Sequence, residues 1–245
     1  MRLRNKIAIV TGSSKGIGEA IALGFAAEGA DVVLAARSED LLVEVAEKVH
    51  ALGRRALPVV TDVTDEEAVM RMVECVKDTF GRIDVLVNNA GGGAYRPIWR
   101  TPLKTWEWLM AVNLRGPFLC TKHVWESMQE SGGGSIINIG STSGSRAYPL
   151  MAAYSASKWG LVGLTKVTAE EGRPDGIRVN IINPGKVQTG FRGSIQDADP
   201  ILDAEDIVGA AVFLASDDSH GIQGQVIEMQ HPLDGFTPFR RGAGA

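Results

Sequence analysis

Cysteine is scarce: the 245-residue sequence has two, Cys75 and Cys120, 45 positions apart in helix-like sequence. That spacing suits neither a zinc clip nor a redox pair, so both read as core thiols. The four histidines, His50, His123, His220 and His231, are scattered without ligand spacing, which predicts no structural or catalytic metal. No apolar run approaches the roughly 20 residues that span a bilayer. Charge of one sign is lacking too. With 25 basic and 29 acidic residues the net charge is −4, no basis for an electrostatic grip on nucleic acid or an anionic membrane. The opening "MRLRNKIAIVTG" carries basic residues, but its apolar segment is too short for a signal peptide and runs into glycine. It reads as a first strand, and a cytoplasmic protein is expected.

What is present is alternation. Short β-branched runs fall at 6–10, 31–36, 55–60, 83–87, 135–139, 177–182 and 225–229, near-continuously apolar, as strands covered on both faces are. Helical stretches separate them: Gly16 to Glu28, Ser38 to Leu52 with Ser38 as N-cap, Asp65 to Phe80, and a stretch from Leu103 to Glu130, long enough to be broken, that opens after Pro102. Thr64 and Glu67 have the spacing of a capping box. No linker or low-complexity segment divides the chain, and "SGGGS" (131–135) is only a helix-to-strand turn. The expected class is α/β: a single doubly wound Rossmann domain over 1–245, with a seven-stranded parallel sheet and helices on both faces.

After the first strand comes "TGSSKGIGEAIALGF". Gly12, Gly16 and Gly18 sit at a strand-to-helix junction, where backbone N–H groups and the helix dipole favour a phosphate. The spacing is G-x₃-G-x-G, and no Gly-Lys-Thr/Ser follows, so it is not a Walker loop. In doubly wound folds the end of the second strand holds either an acid for the ribose 2′-OH or an Arg for a 2′-phosphate. Here it reads "LAARSED", with Arg37 and no acid at the tip, and Lys15 offers a second cation from the glycine loop. This favours NADP(H) over NAD(H).

Further along, "AAYSASKWGLVG" puts Tyr154 and Lys158 four apart, on one helix face. Together with "TGSSKGIG" (11–18), "DV" (62–63), "NNAG" (88–91), Asn113, Ser141 and "NPG" (183–185), it resembles the short-chain dehydrogenase/reductase family, from about residue 5 to 235. The resemblance implies the following. Gly12, Ser14, Lys15, Gly16, Ile17 and Gly18 form the phosphate loop, and Arg37 meets the 2′-phosphate. Asp62 and Val63 contact adenine, and Asn89, Ala90 and Gly91 line the cofactor groove beside Asn88. Asn113 holds a water in a proton relay, Ser141 orients the carbonyl, Tyr154 is the acid/base, and Lys158 binds ribose. Pro184, Gly185, Val187 and Thr189 meet the nicotinamide end. Ser143 is a rival to Ser141, but the 13-residue spacing to Tyr154 favours Ser141.

The chemistry explains those residue types. Hydride arriving at a carbonyl carbon leaves charge on oxygen, so a donor and a proton must be in place. A phenol near pKa 10 holds its proton firmly, and an ammonium within about 5 Å should make it more acidic, helped by the positive ring of the oxidised cofactor. The expected activity is reversible carbonyl reduction on a small molecule, a 3-oxoacyl thioester or a broader range of carbonyls. Two other readings compete. "SASK" gives Ser155 and Lys158 the S-x-x-K spacing of penicillin-recognising hydrolases, though the companion motifs are absent. A non-catalytic NADP(H)-binding regulatory or interaction protein could use the same fold.

Five features bear on substrate and assembly. A short lid is expected at about 189–203. "GGGAYRPIW" (91–99) should border the pocket, with Tyr95, Ile98 and Trp99 shaping it, while Trp159 should serve packing. Arg100 and Lys104 on one helix face suit an acidic carrier. The family pattern is broken in three places: Gly140 where a second serine is frequent, which should matter little, Lys186 where an apolar residue is usual, and a terminus lacking Asp-Gly-Gly. The long helix and the one bearing Leu161, Leu164 and Val167 favour a homo-oligomer, tetramer or dimer.

Overall fold

The structure, a computed structural model, describes residues 1–189 and 201–231. The seven expected strands are present: β1 (Ile7–Thr11), β2 (Asp31–Ala36), β3 (Ala56–Val60), β4 (Val85–Asn88), β5 (Gly134–Ile139), β6 (Ile177–Pro184) and β7 (Val226–Met229). They form one parallel sheet in the order β3-β2-β1-β4-β5-β6-β7. The continuous apolar runs arise because alternate residues serve two cores. Ala8, Val10, Val32 and Leu34 point to one, with Ile21, Phe25, Leu42 and Leu214. Ile7, Ile9, Val33 and Ala35 point to the other, with Met72, Val76, Val124 and Met128.

The first face carries α1 (Gly16–Ala27) and α2 (Glu39–Ala51), together with the last helix described below. The second carries α3 (Glu66–Phe80). Ser38 occupies the N-cap position of α2 without a side-chain cap bond. The expected Thr64–Glu67 box is replaced: Asp65 caps α3, its Oδ1 accepting from Glu67 N at 3.0 Å. Thr64 is instead drawn back, its hydroxyl donating to Asp62 Oδ1 at 2.7 Å. Two candidate caps stood side by side, and the nearby acid captured the threonine.

The long helical stretch is broken into α4 (Leu103–Met110), a π-turn (Ala111–Arg115) and α5 (Gly116–Glu130). Pro117 lies in the first turn of α5 and has no N–H to return to the carbonyl of Asn113, so the regular ladder cannot run through. Next come α6 (Ala152–Gly172) and α7 (Val208–Ala215). Most of the expected lid, 190–200, and the terminus from 232 lie outside the described residues; the turn Ala204–Ile207 starts from the capping box of Asp203 and leads directly into α7. Among the described residues no helix is long and apolar enough to cross a membrane, and no cluster of acids, histidines and cysteines could hold a metal.

Candidate active site

Strand order reverses between β1 and β4, and a cavity of about 1120 Å³ opens there along the carboxyl ends of the strands. Every residue expected for cofactor or catalysis lines it, except Gly18. Gly18 acts one layer back, where a Cβ would collide with the Gly12 carbonyl and the Asn89 amide. Its absence lets α1 close on the loop.

The dinucleotide end is built mostly from backbone. Gly12 and Gly16 have φ of +66° and +60°, and a Cβ on Gly12 would stand 2.8 Å from Ala90 Cα. No side chain caps α1, so its first-turn amides are left open to an anion. Asn89 braces this loop, its Nδ2 donating to the Thr11 and Gly12 carbonyls at 2.9 and 3.1 Å. At the far end lie Arg37 and Asp62. Burial works against Asp62 ionising, yet its bonds from Thr64 and the charges of Arg37 and Arg115 hold its carboxyl below the usual range. The loop, the acid and the exposed Arg37 fit a dinucleotide with its phosphates on α1.

At the other end side chains converge. Ser141 leaves β5 extended, its N–H donating to Asn183 Oδ1 at 3.1 Å and its Oγ accepting from Ser143 N at 3.1 Å. Its hydroxyl also bonds Tyr154. Ser143 turns toward Met151 Sδ, 3.8 Å away, so the geometry sides with Ser141. Gly140 matters more than expected: a Cβ there would strike Asn183 Oδ1, displacing the group that fixes the Ser141 amide.

Tyr154 and Lys158 are both buried on α6, the Nζ 5.8 Å from the phenol ring centroid. The ammonium donates to the Ile139 carbonyl at 2.8 Å. The expected acidification is reversed in the chain by itself. Burial pushes the Tyr154 phenol up to about 12, against the Ser141 hydrogen bond and with a further push from Tyr95. Burial also pulls Lys158 down to about 8. Desolvation outweighs the single nearby cation. The hydrolase reading fails as well: the Ser155 hydroxyl is buried with no partner among the described residues, and Lys158 turns away to Ile139.

Asn113 is fully buried and its side chain is committed. Oδ1 accepts from Gly92 N at 2.9 Å, and Nδ2 donates to Gly92 O at 2.9 Å and Ser157 Oγ at 3.0 Å. Ser157 in turn donates to the Tyr154 carbonyl at 2.6 Å. The side chain thus clamps the segment after β4 to α6. The group left without an α-helical partner is its backbone carbonyl, four residues before Pro117.

Tyr95 lines the cavity, but Ile98 and Trp99 do not; they stand 71% and 80% exposed. Trp159 is exposed rather than packed, and Leu161 is core rather than interface. Sequence reasoning missed Trp108, Tyr148 and Gln230 on the walls and the Gly92 and Asn183 anchors behind them. Gly92 lay in the stretch 91–99 expected to border the pocket and Asn183 in the motif before Pro184, but neither placement told its anchoring role.

Residues 6–200 match the short chain dehydrogenase family. The chain is 36% identical over 238 residues to the 3-oxoacyl-[acyl-carrier-protein] reductase FabG of Thermotoga maritima, covering 93% of this chain and 97% of that one. The crystal structure of levodione reductase superposes with a TM-score of 0.88 at 30% identity, over 94% of this chain and 97% of that one. A Beutenbergia cavernae protein described as an NAD(P)-dependent gluconate 5-dehydrogenase, with NADP bound at low occupancy, gives 0.87 at 36% identity, over 92% and 95%. The chain belongs to the short-chain dehydrogenase/reductase family. It is an oxidoreductase of the class acting on CH–OH and C=O groups with a nicotinamide dinucleotide.

Proposed function

We propose an NADP(H)-preferring carbonyl reductase, reversible, acting on 3-oxoacyl thioesters or a broader range of small carbonyl compounds, with Tyr154 as the acid/base. The observation that carries it is the hydrogen bond of the Tyr154 phenol to Ser141, with Lys158 beside it, in the same cavity as the glycine loop. A nicotinamide dinucleotide held along the glycine loop would supply hydride in reduction and accept it in oxidation. The Ser141 hydroxyl orients the carbonyl oxygen, and Tyr154 gives that oxygen its proton as negative charge develops. Lys158, its own proton held only to about 8, offers the cation that offsets phenolate and a donor for a ribose hydroxyl. The regulatory alternative lacks any support from the site, which keeps all four expected residues together.

Support for NADP(H) comes from Arg37 following β2, where no acid stands at the strand's tip, and from Lys15 in the loop, both exposed and both lining the cavity. A homo-oligomer, tetramer or dimer, is supported by Phe118, Trp159 and Val167, exposed on α5 and α6. Two free thiols fit the reducing cytoplasm. The test is loss of 340 nm absorbance with simple ketones. NADPH should be used about tenfold to a hundredfold better than NADH, and Arg37→Glu should erase that preference, as loss of a charged hydrogen-bond donor to phosphate predicts. Equal use of both cofactors by the unaltered protein would refute the preference, and no oxidation with any carbonyl would refute the activity.

A further inference from the structure

Aromatic residues make up only 6% of the sequence, and three are tyrosines. All three, Tyr95, Tyr148 and Tyr154, line the one cavity, and Trp108 joins them. They come from separate places: Tyr95 from the segment after β4, Trp108 from α4, Tyr148 from the segment after β5. Tyr95 acts electrostatically on Tyr154, which puts it at the catalytic end. Tyr148 is there too, its hydroxyl donating to Thr142 Oγ1 at 3.3 Å, next to Ser141.

These walls are held firmly. Trp108 lies across Gly92, where a Cβ would collide with the indole, and Asn113 fixes Gly92 through both its N–H and its carbonyl. The segments bearing Tyr95 and Tyr148 are tied by Arg96 N donating to Leu150 O at 2.7 Å. Leu150 sits at φ +69°, a left-handed conformation that a leucine adopts only under constraint. Yet Tyr95, Trp108 and Tyr148 remain 41–43% exposed, rings standing in the cavity with faces or edges to offer.

Fixed aromatic walls discriminate by shape. A planar ring meets them stacked or edge-on and has few torsions to lose, whereas a flexible chain of equal apolar area must freeze several bonds. We infer that this collar selects substrates whose reacting carbonyl lies in or directly beside a ring, over open-chain acyl compounds. The inference rests on the carbonyl-reductase reading and chooses among the substrates it allows.

The test is calorimetric titration of the full chain, saturated with NADP⁺ so that no reduction intervenes, with two 3-oxo esters of similar apolar size. Ethyl benzoylacetate carries a phenyl ring on the reacting carbonyl, and ethyl 3-oxooctanoate a pentyl chain. The ring ester should bind about tenfold tighter or more. Trp108→Ala and Tyr95→Leu should each cut that preference to about threefold or less, by weakening the ring ester alone. Tyr95 is on an exposed segment, so its variant remains informative if Trp108→Ala folds poorly, and unchanged NADP⁺ affinity certifies either. Equal affinities, tighter chain binding, failure of both esters to bind, or equal weakening of both would overturn the inference. Collar-dependent binding of the ring ester without turnover by NADPH would uphold it and refute the carbonyl-reductase reading instead.

Discussion

At the dinucleotide end of the cavity the walls are main chain: Gly12 and Gly16 in left-handed turns, uncapped α1 amides, and Asn89 gripping two carbonyls. At the Tyr154 end the walls are side chains, among them two buried ionisable groups shifted by burial and three partly exposed rings. The first region depends on the absence of atoms, the second on where atoms are placed and how dry they are. The two should therefore fail differently.

Gly18→Val attacks the first region from behind. Its new atoms collide with the Gly12 carbonyl and Asn89, so the loop must open. We expect roughly 3–5 kcal/mol of lost stability by denaturant unfolding, together with loss of NADPH binding. A variant that stays stable and binds cofactor would show that the loop is not set by that contact.

Lys158→Met probes the second region through pH. The folded-state pKa of Lys158 lies near 8, below its ordinary 10.5, so between those values the unfolded chain binds more protons. Stability of the unaltered protein relative to the Met variant should therefore rise from pH 8 to 10.5, by up to about 3 kcal/mol. Tyr154, whose raised pKa means the folded state holds that proton longer above pH 10, lowers the stability of both proteins alike and drops out of the difference. A flat difference across pH 8–10.5 would mean that Lys158 is not desolvated.

The same contrast explains what could be read from sequence. Seven apolar runs alternating with amphipathic ones define the sheet, since strand and helix periods are local properties. The glycine loop and the Tyr154/Lys158 pair were legible because a turn or one helix face fixes their spacing. The length of the stretch from Leu103 suggested a break, but its place after Met110 was hidden, because it follows from Pro117 lacking a donor for Asn113 rather than from any change of pattern. So was the Gly140–Asn183 fit, which needs β5 and β6 side by side. In the chain by itself Tyr154 is less acidic than the pairing with Lys158 implied, because spacing reveals a neighbouring cation but not the loss of water around both groups. The aromatic collar joins three separate segments, one of them 40 or more residues beyond the other two, so no local pattern announces it.

The most direct test of the account is Tyr154→Phe assayed for NADPH-dependent reduction, with cofactor affinity measured on the same preparation. The ring keeps its packing against Leu109 and Ala153, so the fold should hold. The proton donor alone is lost. Turnover should fall by about a thousandfold, with NADPH affinity within about twofold. Retention of turnover near that of the unaltered protein would contradict the assignment of Tyr154 as the acid.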